Sequence, residues 1–141
     1  MRSDLVTPLA VTLHEHALRI PEKVAFADDR RAVTYAELEA RTRRLAGHLV
    51  RLGLRRGDRV ALCLGNSVAM VEGYLAVVRA GGIGVPVNPR SAPAELEYLL
   101  ADSGARFALA GASSAGTLLH GVSPHGGSPE GVPPQGVVAE G

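Results

Sequence analysis

Apolar residues recur along the first 110 positions in two rhythms: steps of three and four, or unbroken runs of four or five. The first helical stretch opens at Thr7-Pro8, with Thr7 as the cap and Pro8 in the first helical position. Leu9, Leu13, Ala17 and Ile20 then recur at helical spacing until Pro21 ends the pattern. Val24-Ala25-Phe26-Ala27 and Ala32-Val33 are short strand candidates joined by a turn over residues 28–31.

The clearest element follows. Thr34-Tyr35-Ala36-Glu37 has the form of a capping box, in which threonine and glutamate each satisfy the other's orphan amide. Tyr35, Leu38, Thr42, Leu45, Leu49 and Leu52 then share one helix face, and Gly53 supplies the stop. Glu37–Arg41 and Glu39–Arg43 are expected as i,i+4 ion pairs on the wet side. Val60-Ala61-Leu62-Cys63-Leu64 is a continuous apolar run, the mark of a central strand buried on both faces. Asn66 or Ser67 caps the next helix, with Val68, Val71, Leu75 and Val78 inward, and Gly81-Gly82 ends it. Residues 83–87 form a strand. Pro93 opens a helix that puts Leu96, Leu99 and Leu100 inward and stops at Gly104, before a last strand over 106–110. Strands at 60–64, 83–87 and 106–110 alternating with helices spell βαβαβ: an α/β fold, a partial three-layer domain with a parallel sheet, preceded by a small hairpin.

Beyond residue 110 the pattern dissolves. Glycine falls at 111, 116, 121, 126, 131, 136 and 141, and proline or serine fills much of the space between. Glycine maximises chain entropy and proline removes amide donors, so residues 111–141 are expected to be a flexible tail without a packed element.

Composition narrows the function. A formal charge of +1 creates no field for nucleic acid or acidic lipid. No apolar run reaches the roughly 20 residues that span a bilayer, and acids and histidines interrupt the N-terminus where a signal peptide would be apolar. The expectation is a soluble cytoplasmic protein. A single cysteine, Cys63, excludes an internal disulfide; mid-strand, it reads as a small core residue. Lys23 is the only lysine, and the other basic side chains are arginines. Arg41, Arg43, Arg44, Arg51, Arg55, Arg56 and Arg59 cluster without interleaved aromatics and read as a solvated face. His14 and His16 are two apart on a helix and diverge, which is wrong for a metal pair. His120 and His125 lie in the tail, so no metal site is expected.

Two stretches carry a resemblance. Val33-Thr34-Tyr35-Ala36-Glu37-Leu38 is similar to the first core motif of the adenylate-forming (AMP-binding) enzymes, and residues 78–89, Val-Arg-Ala-Gly-Gly-Ile-Gly-Val-Pro-Val-Asn-Pro, resemble the second. Between them lie Gly57-Asp58-Arg59-Val60 and Asn66-Ser67; after them come Glu95-Leu96 and residues 99–105 in matching order. The resemblance runs from about residue 10 to residue 110. The Val87-Asn88-Pro89-Arg90 ending is closer to acyl- and aryl-CoA synthetases than to peptide-synthetase domains. In that family Thr34, Tyr35, Glu37, Leu38, Gly57, Asp58, Asn66, Ala80, Gly81 and Pro86 would be structural motif positions.

What the resemblance implies is a reaction of a carboxylate with ATP and Mg2+ to acyl-AMP, then acyl transfer to CoA. It also implies what residues 1–141 lack. The family's phosphate loop is rich in Ser, Thr and Gly and closes on Pro-Lys-Gly, so that small residues let amides reach phosphate oxygens. No such stretch occurs here, nor do the adenine-binding aromatics, the ribose aspartate, the hinge or the C-terminal-domain lysine. The chain is therefore expected to hold no catalytic residue, to bind no cofactor tightly and to be inactive alone. Its expected partner is the missing remainder of the enzyme or a separate chain supplying it. A non-catalytic partner-binding scaffold, half of a split enzyme and a flavodoxin-like small-ligand binder stay open as alternatives. Gly81-Gly82-Ile83-Gly84 runs from a helix into a strand, the reverse of a phosphate cradle, and reads as a helix stop. Asn88, Pro89 and Arg90 follow the C-terminal end of a parallel strand, where open α/β sheets bind ligands, and are the substrate-proximal candidates.

Overall fold

The computed structural model describes residues 7–111 in full and residues 135–138 by their backbone. The elements run α1 (Leu9–Arg19), β1 (Val24–Ala27), β2 (Ala32–Thr34), α2 (Tyr35–Arg51), β3 (Arg59–Cys63), α3 (Val68–Arg79), β4 (Ile83–Pro86), α4 (Pro93–Ser103), β5 (Phe107–Ala110) and β6 (Gln135–Val138). β1 and β2 form an antiparallel pair, and β4-β3-β5-β6 form a second, wholly parallel sheet. This is the expected α/β architecture with its βαβαβ core.

The layers follow from side-chain size along two strands. Val60 and Leu62 of β3, with Phe107 and Leu109 of β5, point to the face covered by α2 and α3 and pack there with Leu49, Ala76 and Val77. Ala61, Cys63, Ala108 and Ala110 point to the other face, where Leu96 of α4 covers them. Period-two alternation thus sorts large residues to one side and small ones to the other. A third cluster, Leu13, Val33, Leu38 and Val68, joins α1 and the hairpin to the outer side of α2 and α3.

Several local expectations need correction. Pro8, not Thr7, is the N-cap of α1, and no side chain caps it. Of the residues expected inward on α1 only Leu13 is buried. α3 buries two faces rather than one. Val68 is buried and Val71 and Leu75 are partly buried against the hairpin and α1, as the spacing suggests, but Gly73, Ala76 and Val77 take the sheet side. Gly73 sits there because a Cβ would stand 3.0 Å from Leu64 Cδ1. Of the two cap candidates for α3, Ser67 is the one that caps, accepting from the Met70 amide at 3.2 Å.

Residues 111–141 were expected to carry no packed element, yet Gln135–Val138 is a strand in register with Phe107–Ala110. Gly136 needs no side-chain room beside Ala108 in that ladder. The rest of the expected tail, with His120 and His125, lies outside the described residues. No helix among the described residues is long and apolar enough to cross a membrane.

Candidate functional site

The sequence-predicted positions gather in three places. The first is the junction of β2 and α2. The Thr34 amide donates to Glu37 Oε2 at 2.9 Å and the Glu37 amide to Thr34 Oγ1 at 3.3 Å, the expected reciprocal cap. Leu38 is buried, and Tyr35 stacks on His16 with ring centres 5.1 Å apart.

The second is the N-terminal end of the parallel sheet. The Gly57 amide donates to Gly81 O and the Ile83 amide to Asp58 O, both at 2.9 Å, so the two turns are stitched across β3 and β4. Ala80 ends α3 one residue earlier. Gly81 takes φ +84°, the left-handed region that glycine reaches without a Cβ penalty. Asp58 Oδ2 accepts from the Arg55 amide at 2.8 Å and Arg106 Nη1 at 2.9 Å. The Arg55 amide does most to hold the Asp58 carboxyl below the usual range; burial opposes it, and Arg106 adds to the lowering. These groups are consumed in joining turns to strands.

The third is the opposite end. β3 leaves through Leu64-Gly65-Asn66 into α3 on one face, while β4 leaves through Val87-Asn88-Pro89-Arg90 toward α4 on the other. Such a divergence makes the crevice where ligands bind open α/β sheets. Here the Pro89 ring occupies it, with Cγ 3.6 Å from the point where a Cβ on Gly65 would lie. Asn88 Oδ1 accepts from the Arg90 amide at 3.0 Å, a local turn bond, and Asn88 and Arg90 are exposed. Arg90 makes no ion pair among the described residues, so it is the one uncommitted cation at this edge. Pro86, at the end of β4, faces another space altogether.

That space is an apolar groove of about 530 Å3, absent from the expectations, bounded by α1, β1, α2, α3 and β4. Leu9, Leu13, Phe26, Tyr35, Tyr74 and Pro86 line it. Its signal in the sequence was β1 itself, four apolar residues in a row beside a polar turn.

Also unexpected are two buried carboxylates. Glu72 of α3 takes Arg31 Nη1 and Nη2 at 3.0 and 2.7 Å and Arg41 Nε at 2.6 Å. Glu39 takes the Arg79 guanidinium in a two-pronged pair and His14 Nδ1 at 3.2 Å. Burial pushes the Glu39 carboxyl up, but Arg79 and then His14 outweigh it, so its pKa lies below the ordinary value. One expected surface pair is corrected, since Arg41 binds Glu72 rather than Glu37; the Glu39–Arg43 pair is present at 3.9 Å, but Glu39 is buried rather than on the wet side. Glu39 and Glu72 lie on α2 and α3, so the network locks these helices to α1 and the hairpin. Both carboxylates of this network are thus paired with guanidinium groups.

These residues do not compose a triphosphate or metal site. Among the described residues no three His, Cys, Asp or Glu side chains gather. Lys23 precedes β1, and Gly81–Gly84 leads from helix into strand. Gly84 serves packing instead: a Cβ there would come within 2.9 Å of the Tyr74 ring.

The AMP-binding enzyme family model matches residues 13–135. The chain is 47% identical over 100 residues to the naringenin synthase of Pestalotiopsis fici, covering 71% of this chain and 4% of that protein. It is 41% identical over 103 residues to the long-chain-fatty-acid–CoA ligase of Yersinia pestis, covering 72% and 18%. Its backbone matches the fatty acyl CoA synthetase of Mycobacterium tuberculosis with a TM-score of 0.77 at 29% identity, over 92% of this chain and 26% of that one. A benzoate CoA ligase of Burkholderia xenovorans LB400 matches with a TM-score of 0.80 at 26% identity, over 96% and 26%. The chain spans a small part of the length of each relative. With the family model matching most of its length, the chain belongs to the AMP-binding enzyme family, alongside acyl-CoA ligases and other adenylate-forming enzymes.

Proposed function

We propose that this chain forms the scaffold of an ATP-dependent acyl-adenylating ligase and acts only together with the larger part that its relatives contain. The supporting observation is the extent of the match: almost all of this chain superposes on about a quarter of a fatty acyl CoA synthetase. The reaction is attack of a carboxylate on the α-phosphate of ATP, giving acyl-AMP and pyrophosphate, followed by acyl transfer to coenzyme A. That attack needs positive charge and oriented donors around the phosphate, and losing one such donor typically costs about 100- to 1,000-fold. The described residues offer no such cluster. Their part is to hold the sheet and present the Asn88–Arg90 loop at its C-terminal edge, with Arg90 as the cation nearest an incoming phosphate or thioester.

ATP–pyrophosphate exchange over a panel of aliphatic and aromatic acids tests the reading. The chain alone is expected to match a no-protein control. Adding the remainder of the Yersinia pestis ligase is expected to raise exchange, and Arg90→Ala to lower it. Exchange by the chain alone would overturn the scaffold role. A second reading is favoured by the 47% identity to naringenin synthase: an adenylating segment of a larger synthase, delivering its acyl group to a protein-bound thiol. Acyl-AMP formation without acyl-CoA formation would select it.

A further inference from the structure

Charge along this chain is sorted rather than spread. Residues 40–71 hold seven of the 15 lysines and arginines and, in Asp58, one of the 14 acids, so the rest of the chain is net acidic. Arg41 and Arg43 face the carboxylates of Glu72 and Glu39. Arg44, Arg51, Arg55, Arg56 and Arg59 are exposed, and their side chains make no hydrogen bond or ion pair among the described residues. Asp58 is already held by the Arg55 amide and Arg106, and Asp102 pairs with none of them. The fold brings these guanidinium groups to one end of the molecule. Arg44, His48 and Arg51, four and three residues apart on α2, form a stripe about 10 Å long. The turn after α2 carries Arg55 and Arg56 past the N-terminal end of the sheet, where the Gly57 amide ties it to Gly81. Arg59 opens β3 in register with Ile83, and the Arg106 amide donates to Arg59 O at 3.0 Å. The negative end of the helix dipole accounts for Arg51, in the last turn of α2, but not for Arg55 and Arg56 beyond it. Two apolar side chains are exposed next to these arginines: Val50 at 53%, beside Arg51, and Ile83 at 49%, beside Arg59.

We propose that this arginine end docks an acidic helix of a protein partner, whose carboxylates meet the stripe on α2 and the Arg55-Arg56 turn. Charge complementarity selects the partner. Unpaired guanidinium groups crowded together repel one another, and each is a planar fork that fits a carboxylate two bonds at a time. Carboxylates three and four residues apart on one helix face reproduce the spacing of Arg44, His48 and Arg51. Exposed arginines with an apolar neighbour are also the composition of a protein interface, in which arginine is enriched and lysine depleted. Nucleic acid suits the surface less, because the aromatic ring at this end, Phe107 beneath Arg106, is buried and offers no face to a base. A bilayer suits it less again, because Val50 and Ile83 make no apolar helix face to insert. The surface lies at the end of the sheet opposite the Asn88–Arg90 loop, so the proposal does not rest on the adenylation reading.

The test is fluorescence anisotropy of the whole chain with two labelled helical peptides. One carries glutamates three and four residues apart along one face; the other carries glutamine at the same places. The acidic peptide is expected to bind, about tenfold or more tighter than its neutral counterpart, and to weaken as salt rises. Arg51→Glu, and Arg55→Glu with Arg56→Glu, are each expected to weaken it by about tenfold. Arg30→Glu makes the same change of charge in the β1–β2 turn, beside the N-terminus of α3 at the other end of the sheet, and is expected to leave binding as it was. Unfolding midpoints of the variants separate lost docking from lost folding. Equal binding of the two peptides, or equal loss in Arg30→Glu, overturns the proposal. So does tighter binding of duplex DNA, or of phosphatidylserine vesicles, that the same arginine variants abolish; these would identify nucleic acid or lipid as the occupant. ATP–pyrophosphate exchange is a separate readout, so either proposal can fail without the other.

Discussion

Phe107-Ala108-Leu109-Ala110 and Val24-Ala25-Phe26-Ala27 are built from nearly the same residues and meet opposite fates. β5 is buried at every position, paired on both edges and covered on both faces. β1 is exposed at three positions of four and, among the described residues, paired on one edge. Apolar composition measures how much a strand gains from cover; its neighbours decide whether cover is present. What holds β1 in place is polar and sits at the hairpin's ends. Asp28 Oδ2 accepts from the Val68 amide at 2.8 Å, Arg31 grips Glu72, and the Tyr35 amide donates to Lys23 O at 3.0 Å.

The contrast predicts different sensitivities. Leu109→Ala, at 0% exposure, is expected to cost about 2–5 kcal/mol in chemical denaturation, because a dense core closes poorly around a cavity. Glu72→Gln leaves Arg31 and Arg41 facing a neutral amide and is expected to cost about 1–3 kcal/mol, with exchange quickening in the hairpin before β5. Thr34→Ala removes one half of the capping box and is expected to cost about 0.5–2 kcal/mol by the same denaturation.

Acid acts on the hairpin next. The Val68 amide, then those of Arg31 and Arg30, lower the Asp28 pKa from 3.8 to about 2. A depressed carboxyl pKa means that the unfolded chain binds the proton more readily. The stabilisation is therefore complete above about pH 4 and is lost as pH falls through about 2. Asp28→Asn is expected to flatten the dependence of stability on pH in that window. Smallest is Phe26→Ala, expected to change the stability of the isolated chain by less than about 0.5 kcal/mol despite removing a phenyl ring. A cost near that of Leu109→Ala would show that β1 is covered after all.

Local chemistry made much of this fold legible. The box at Thr34 and Glu37, the unbroken run of β3, Pro93 with Gly104 at the ends of α4, and the order of strands and helices are all legible in the chain itself. The failures share a cause, which is dependence on residues far along the chain. Glu39 and Glu72 look like surface acids until Arg79 and Arg31, some 40 residues away, arrive to neutralise them. The sheet side of α3 was hidden because Gly73 and Ala76 are small: apolar spacing favours large residues, whereas close helix–sheet contact favours small ones. β6 was missed because glycine and proline dominate its surroundings, while its ladder depends on β5. The groove is assembled from α1, β1, α2, α3 and β4, and no single stretch announces it. At the C-terminal edge the loop of Asn88, Pro89 and Arg90 was located correctly in the fold, but its Pro89 plug against Gly65 was not foreseeable.

The strand order has a consequence for how the molecule is made. In β4-β3-β5-β6 the strand emerging first from a ribosome, β3, has neighbours on both sides, and every later strand joins an outer edge. β4 adds to one side of β3, β5 to the other, and β6 lies outside β5. Among the described strands none has to be threaded between two already paired, so the sheet can grow outward in the order in which its strands are synthesised.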